Sequence, residues 1–469
     1  MLKSTSSNKI VSALIFIIPL VVYAAMSVHY LLGQEDLLKE PRFAQMGMQV
    51  QDLEWIKADF WQALLYNHYQ PPLMSNIING LLYIFVPSLL FPLYIGMNVL
   101  MSWLAFAAFI WFMHKMDIHP NWILIVGLFT ALYPLRLEQE ASMGYAALSY
   151  ALAFLCVAFF YQFIRHQRLI YFVLLSSAVL LLTLLNSYFH CFWGASVLGL
   201  ACLLSGQCKK WLIPLAIVAL LIFAWPAKNW VIFGSFSASS SQGLVLAQRV
   251  DPNASILLKH IRNGEVPKMA WILMHPYGPD IYTDPQMPFP EKYKGIKVLT
   301  EPWKGFYTPE EYGNYATFNY NYYKVIQMCK LLTKYSIWYA IHHPDAYAKV
   351  TIAQICHFFS GDNSVLDPCF PHITKYHFSE PYGIAVRGLL YMFSILGGFL
   401  YLILRWQHRK TLQYRIMLFI MFNIAHSLFM GIVIAYCDGT RYRFNFELYY
   451  AFLLAFCLSR LIPFKAKSN

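Results

Sequence analysis

Between Gly33 and Leu73 an oily chain turns polar. The side chains there include types that move protons and hold anions: Glu35, Asp36, Glu40, Arg42, His68 and Gln70. Transfer of a group to a hydroxyl requires that hydroxyl to lose its proton as the new bond forms, and a positioned carboxylate can take it. A leaving phosphate on the same face calls for cationic or dipolar stabilisation. Solvation is the ordinary fate of carboxylates beside a membrane, so for Glu35, Asp36 and Glu40 the bland and the catalytic readings stand side by side.

Two further groups could join them. Glu138 and Glu140 follow Pro134 and precede an apolar run. An acid at a helix N-terminus is favoured by the dipole, so Glu140 reads either as a cap-region charge or as an acid of the same chemistry. A spacing of two brings both side chains to one side only if the segment is extended. Arg441 and Arg443 precede the last apolar run. They read as snorkelling anchors, as partners of Asp438 or Glu447, or as a bidentate clamp for an anionic headgroup. Lys228 invites the same two kinds of reading. His68, His190, His342 and His343 lack a ligand pattern, and such histidines are mostly hydrogen-bonded or interfacial. The nine cysteines show no metal-ligand or CxxC spacing. No cofactor is therefore expected, and a divalent metal has no clear ligand set.

The frame that must position these residues is a membrane. The chain is 58% hydrophobic and 12% charged, about half the charged fraction of a soluble domain. An apolar run from Ile10 to about Leu32, after Lys3 and Lys9, is long enough to span and lacks a cleavage pattern, so an uncleaved anchor is expected. Further apolar runs cover about 92–113, 120–135, 145–164, 169–186, 189–204, 211–233, 385–404, 414–436 and 445–462. The fold class is an all-α polytopic membrane protein of about ten spans. If 73–90 makes no complete crossing, Lys3, Lys9, Lys115, Arg165, Arg168, Lys209, Lys210, Arg405, Arg409, Lys410, Arg415, Lys465 and Lys467 share the cytoplasmic side. The net charge of +12 is then topological, and nucleic acid is not an expected partner.

On this frame residues 1–233 form a membrane module with outer loops 33–72 and 136–144. Residues 234–384 form an extracytoplasmic region, without a clean period until about 320, and 385–469 supply the C-terminal spans. Phe43, Met46, Val50, Leu53, Ile56, Phe60 and Leu64 recur at helical spacing, which predicts one amphipathic helix in the membrane interface. Residues 336–359, with His342-His343-Pro344 near their start, predict a second.

At Glu40-Pro41-Arg42-Phe43-Ala44, then Asp52-Leu53-Glu54-Trp55, then Gln70-Pro71-Pro72-Leu73, the chain resembles the GT-C class of polyprenyl-phosphate-sugar glycosyltransferases. The bacterial branch with the lipid A aminoarabinose transferase is nearest, and the protein O-mannosyltransferases are more distant. Matches in family order continue at Tyr133-Pro134, Lys228-Asn229-Trp230, His343-Pro344-Asp345 and Arg441-Tyr442-Arg443-Phe444. The resemblance implies inverting transfer of a sugar from a lipid-linked donor to a glycan, lipid or protein acceptor. The chemistry would lie at the outer face of a bacterial inner membrane, or in the lumen of a eukaryotic endoplasmic reticulum. It implies a first-loop acid as base, one of Asp36, Glu35 or Glu40 with Asp36 preferred, and an assisting acid at Glu138 or Glu140. Donor phosphate would fall to Arg42, Arg441, Arg443 and Lys228, and substrate contacts to His68 and Gln70. Where the branch carries an acidic metal ligand, this chain has Tyr69-Gln70. Two other classes stay open: an O-antigen ligase or polymerase, resting on the large outer region, and a lipid-linked sugar transporter or flippase.

Overall fold

The computed structural model describes residues 6–33, 53–142, 144–250, 259, 261–264, 289–301, 303–304, 317–360, 381–434 and 443–462. Helices run in the order α1 (Ser6–Leu32), α2 (Leu53–Ala58), α3 (Phe60–Tyr66), α4 (Asn79–Phe85), α5 (Leu90–Lys115), α6 (Pro120–Ala131), α7 (Pro134–Glu140), α8 (Ala146–His166) and α9 (Leu169–Leu185). They continue as α10 (Cys191–Ser205), α11 (Cys208–Phe233), α12 (Gln242–Val250), α13 (Lys297–Thr300), α14 (Tyr323–His342) and α15 (Pro344–Ser360). The last are α16 (Pro381–Leu404), α17 (Leu412–Leu428) and α18 (Glu447–Leu461). Among the described residues the only strands are a two-residue antiparallel pair, Trp303–Lys304 with Thr317–Phe318.

Among the described residues six stretches are long and apolar enough to cross a membrane: Ala13–Leu32, Pro87–Lys115, Ala146–His166, Cys208–Phe233, Arg387–Leu404 and Leu412–Ile434. Shorter apolar helices, among them α6, α9 and α10, lie with them. Helix α8 is buried nearly all round and packs on α5, α9 and α17. One apolar core runs from Tyr23 on α1 to Phe456 on α18, so the first and last helices share it. Apolar burial gives little drive between helices already in lipid, which leaves close packing and interhelical hydrogen bonds to hold the bundle. Phe160 stacks on Phe419 at 4.0 Å, the Tyr449 hydroxyl donates to the Ala153 carbonyl at 2.8 Å, and Trp193 Nε1 donates to Asn423 Oδ1 at 3.2 Å.

Helices α1 and α5 lie antiparallel. Phe16 meets His114 at one end, Tyr23 stacks on Phe106, and Ser27 and Asn98 both reach the Glu140 region at the other. The chain therefore leaves α1 and enters α5 at the same end of the bundle. A π-helical turn (Leu73–Ile78) and α4 lie between them in the chain.

Both amphipathic helices expected from sequence are divided. The first breaks at Asp59, whose carboxylate accepts from Gln62 N at 2.9 Å and caps α3. A capping acid breaks the helix even though the apolar spacing continues across it. The second breaks at His343, because Pro344 cannot continue α14 and instead opens α15. Helix α12 lies in a region with no clean period. It packs on α14 through Gly243, where a Cβ would come within 1.9 Å of the Cys329 carbonyl oxygen. Only glycine allows that approach.

Candidate active-site face

Pro134 starts α7 and Tyr133 precedes it, so the four residues 133, 136, 138 and 140 are carried on a single short helical turn system. Helical geometry sets Glu138 and Glu140 about 200° apart. They do not share a side, and they play different parts. Glu140 also closes the helix rather than opening it, so it is not an N-terminal cap charge.

Glu140 is 1% exposed and fully engaged. It accepts from Tyr23 Oη at 2.8 Å, from Ser27 Oγ at 2.8 Å and from Arg136 one turn away at 2.9 Å. The Arg136 guanidinium lies 3.7 Å from the Tyr23 ring centre and donates to the Ala131 carbonyl at 2.9 Å. Asn98 donates to the Ser142 carbonyl at 2.8 Å. This cluster fastens α7 to α1 and α5.

Glu138 is half-buried, and among the described residues it forms no ion pair. Burial pushes its carboxyl up to about 7, as expected when a carboxylate loses water without gaining a cation. Such a group exchanges protons near neutrality, which a general acid or base must do.

A second ionic cluster lies on the far side of Tyr133. Glu447 is buried and accepts from Arg387 at 2.5 Å and from the Tyr391 hydroxyl. Arg387 also donates to the Phe129 carbonyl at 2.7 Å and sits 3.7 Å from the Tyr133 ring centre. Arg443, fully buried, donates to the carbonyls of Phe358 at 2.9 Å and Phe359 at 2.7 Å, and to the Tyr133 hydroxyl at 3.1 Å. It thus takes up carbonyls from the last turn of α15, the favoured place for a cation. Among the described residues two guanidinium groups share this cluster with one carboxylate, a surplus of one positive charge.

The 67–72 segment is held by a third network. His68 Nε2 faces the Asn321 carbonyl at 2.8 Å and Nδ1 faces Ser240 Oγ at 2.8 Å. A carbonyl can only accept, so Nε2 carries the proton and Nδ1 accepts the serine hydroxyl. Burial lowers the imidazole to about 3, which makes it a neutral strut. Asn321 Oδ1 accepts from the backbone of His68 and Tyr69 at 3.0 Å each, and Ser239 donates to the Tyr69 carbonyl. Lys228 donates to the carbonyls of Leu65 at 3.1 Å and Asn67 at 2.5 Å, and lies 3.6 Å from the Trp225 ring centre. Gln70 is half-buried beside this network.

Of the acids and cations singled out from sequence, Glu35, Asp36, Glu40, Arg42 and Arg441 lie outside the described residues. Glu140 and Arg443 are held in buried networks at the two ends of α7, Glu138 lies on the same short helix pointing away from Glu140, and His68 and Lys228 face backbone carbonyls. Sequence reasoning missed Tyr23, Ser27, Arg387, Tyr391 and Asn321. Arg387 carried a usable signal, a cation at the start of an apolar span; the tyrosines and serines carried none. Among the described residues no cluster of three His, Cys, Asp or Glu side chains could hold a metal ion.

No protein-family model, no curated protein and no solved structure matches this chain.

Proposed function

We propose that the chain is a membrane-embedded glycosyltransferase that moves a sugar from a polyprenyl-phosphate donor to an acceptor hydroxyl, with inversion. The observation that carries the reading is Glu138, a half-buried carboxyl pushed up to about 7, on the short helix whose leading residue Tyr133 contacts both Arg387 and Arg443. That pairs a proton acceptor with a field favouring a departing anion. The ordered motifs from Glu40-Pro41-Arg42 to Arg441-Tyr442-Arg443 support the same reaction class.

In this reading the acceptor oxygen attacks the anomeric carbon from the face opposite the phosphate. The carbon–oxygen bond to phosphate breaks, and the polyprenyl phosphate leaves with the electron pair. A first-loop carboxylate, Asp36 before Glu35 or Glu40, takes the hydroxyl proton, and Glu138 assists. Gly33 lies six residues past Ser27, about 9 Å along the helix axis, so the first loop starts above the α7 turn. Arg42 and Arg441 meet the phosphate, with Arg387 and Arg443 adding positive potential from within. Ten crossings follow if α6, α9, α10 and α18 join the six long apolar stretches. The site then opens on the outer face, periplasmic in a bacterial inner membrane or lumenal in an endoplasmic reticulum.

The test uses the full chain in nanodiscs with a panel of undecaprenyl-phosphate sugars and of glycan, lipid and peptide hydroxyl acceptors, following release of undecaprenyl phosphate and formation of glycosylated acceptor by mass spectrometry. Release by the wild type, with loss in Asp36→Asn and Glu138→Gln at unchanged folded yield, is the expected outcome. Unchanged release in both variants would overturn the reading.

A further inference from the structure

Helices α14 and α15 each bury one side and expose the other. On α14, Val325, Met328, Cys329, Leu332, Ser336 and Tyr339 face inward, largely against α12. The opposite side carries Leu331, Lys334, Trp338 and Ile341, the last 69% exposed. On α15 the exposed positions include Lys349, Ile352 at 62% and Ile355. Large apolar side chains fully open to water are unfavourable, and here they alternate with lysines on both helices.

The level of α15 along the bundle is fixed by three contacts. Tyr347 Oη donates to the Val433 carbonyl at 2.8 Å. Arg443 holds the last turn of α15. Gly388, about two turns into α16, lies so close that a Cβ would come within 2.1 Å of the Phe359 carbonyl oxygen. Helix α15 therefore lies across the first turns of α16, whose Leu389 and Leu396 are also exposed along its membrane-length face, and α14 joins α15 directly at His343-Pro344.

We infer that the α14–α15 hairpin is seated in the lipid–water interface, with Leu331, Trp338, Ile341, Ile352 and Ile355 among the acyl chains and Lys334 and Lys349 on anionic headgroups. Continuity with the exposed face of α16 sets the depth. The pairing of an apolar stripe with a cationic rim selects an anionic lipid surface over a neutral one. Asp345 is the one acid described on these two helices. The inference is independent of the transferase reading, and its test needs no turnover.

The full chain is placed in nanodiscs of phosphatidylcholine alone or with phosphatidylglycerol, with Ile341, Tyr339 or Leu396 replaced in turn by benzoylphenylalanine. Irradiation followed by mass spectrometry should give phospholipid adducts at 341, as at the control position 396, and few at the buried position 339. Lys334→Gln and Lys349→Gln should each lower the adduct at 341 by up to roughly fivefold in anionic discs, with little change in neutral ones. An adduct at 396 but none at 341, or cross-linking of 341 to a second copy of the chain, would overturn the inference. Equal yields with and without the lysines would overturn its anionic part.

Discussion

Arg443 donates to the hydroxyl of Tyr133, 310 residues away in sequence, and the ring of that same tyrosine receives Arg387 at 3.7 Å from its centre. One residue at the foot of α7 thus ties the C-terminal arginines to the helix that carries Glu138. Tyr133→Phe keeps the ring over Arg387 but strands part of a buried guanidinium. A loss of about 1–3 kcal/mol is expected, measured as a lower midpoint in detergent thermal unfolding.

The Arg136–Glu140 pair should behave as a unit. Removing one partner leaves an uncompensated buried charge, so Arg136→Met or Glu140→Met should each cost about 3–5 kcal/mol. The double variant should cost clearly less than the sum, because neither charge is then left alone. Simple additivity in a double-mutant cycle would show that the two groups do not stabilise one another.

Glu138 supplies a pH signature. Its folded pKa, about 7, stands above the ordinary carboxyl value. Its stabilising contribution is therefore complete below about 4.5 and is lost as pH rises through 7. Glu138→Gln should gain stability relative to wild type above pH 7, by at most ~3 kcal/mol, and lose that gain near pH 4.5. Parallel unfolding curves of the two proteins across pH 4.5–8.5 check it.

His68 works in the opposite sense. Its folded pKa, about 3, lies below the ordinary imidazole value. The stability of the neutral strut is complete above about 6.5 and declines as pH falls toward 3. Between pH 7 and 5 the wild type should lose about 2 kcal/mol from this group. His68→Gln, which cannot charge, should show a flatter curve over that window even if it is less stable throughout.

Two glycines separate close approach from open space. Gly388→Ala pushes a Cβ into the Phe359 carbonyl and should cost at least ~1–3 kcal/mol, loosening α15 from α16. Gly96→Ala, on α5 with nothing within 4 Å, should be neutral or stabilising by up to ~1 kcal/mol. Equal effects in unfolding assays would contradict the packing described at Gly388.

The membrane class and the positions of the long apolar helices could be read in the sequence, because lipid demands runs of about twenty apolar residues whatever they pack against. The sequence carried its apolar period straight across Pro344, although the proline ring ends one helix there and opens the next. It marked Glu138 and Glu140 as residues worth watching, but it could not tell them apart. Only the tertiary structure gave Glu140 the company of Tyr23, Ser27 and Arg136 while leaving Glu138 desolvated and unpaired with any described cation. Likewise, the sequence offered Arg443 as a surface clamp, and the fold turned it inward onto the carbonyls of α15. Spacing along a chain reports which face of its own helix a residue occupies. Which residues hundreds of positions away meet that face is decided by packing, and packing set the charge state and the partner of each group at this site.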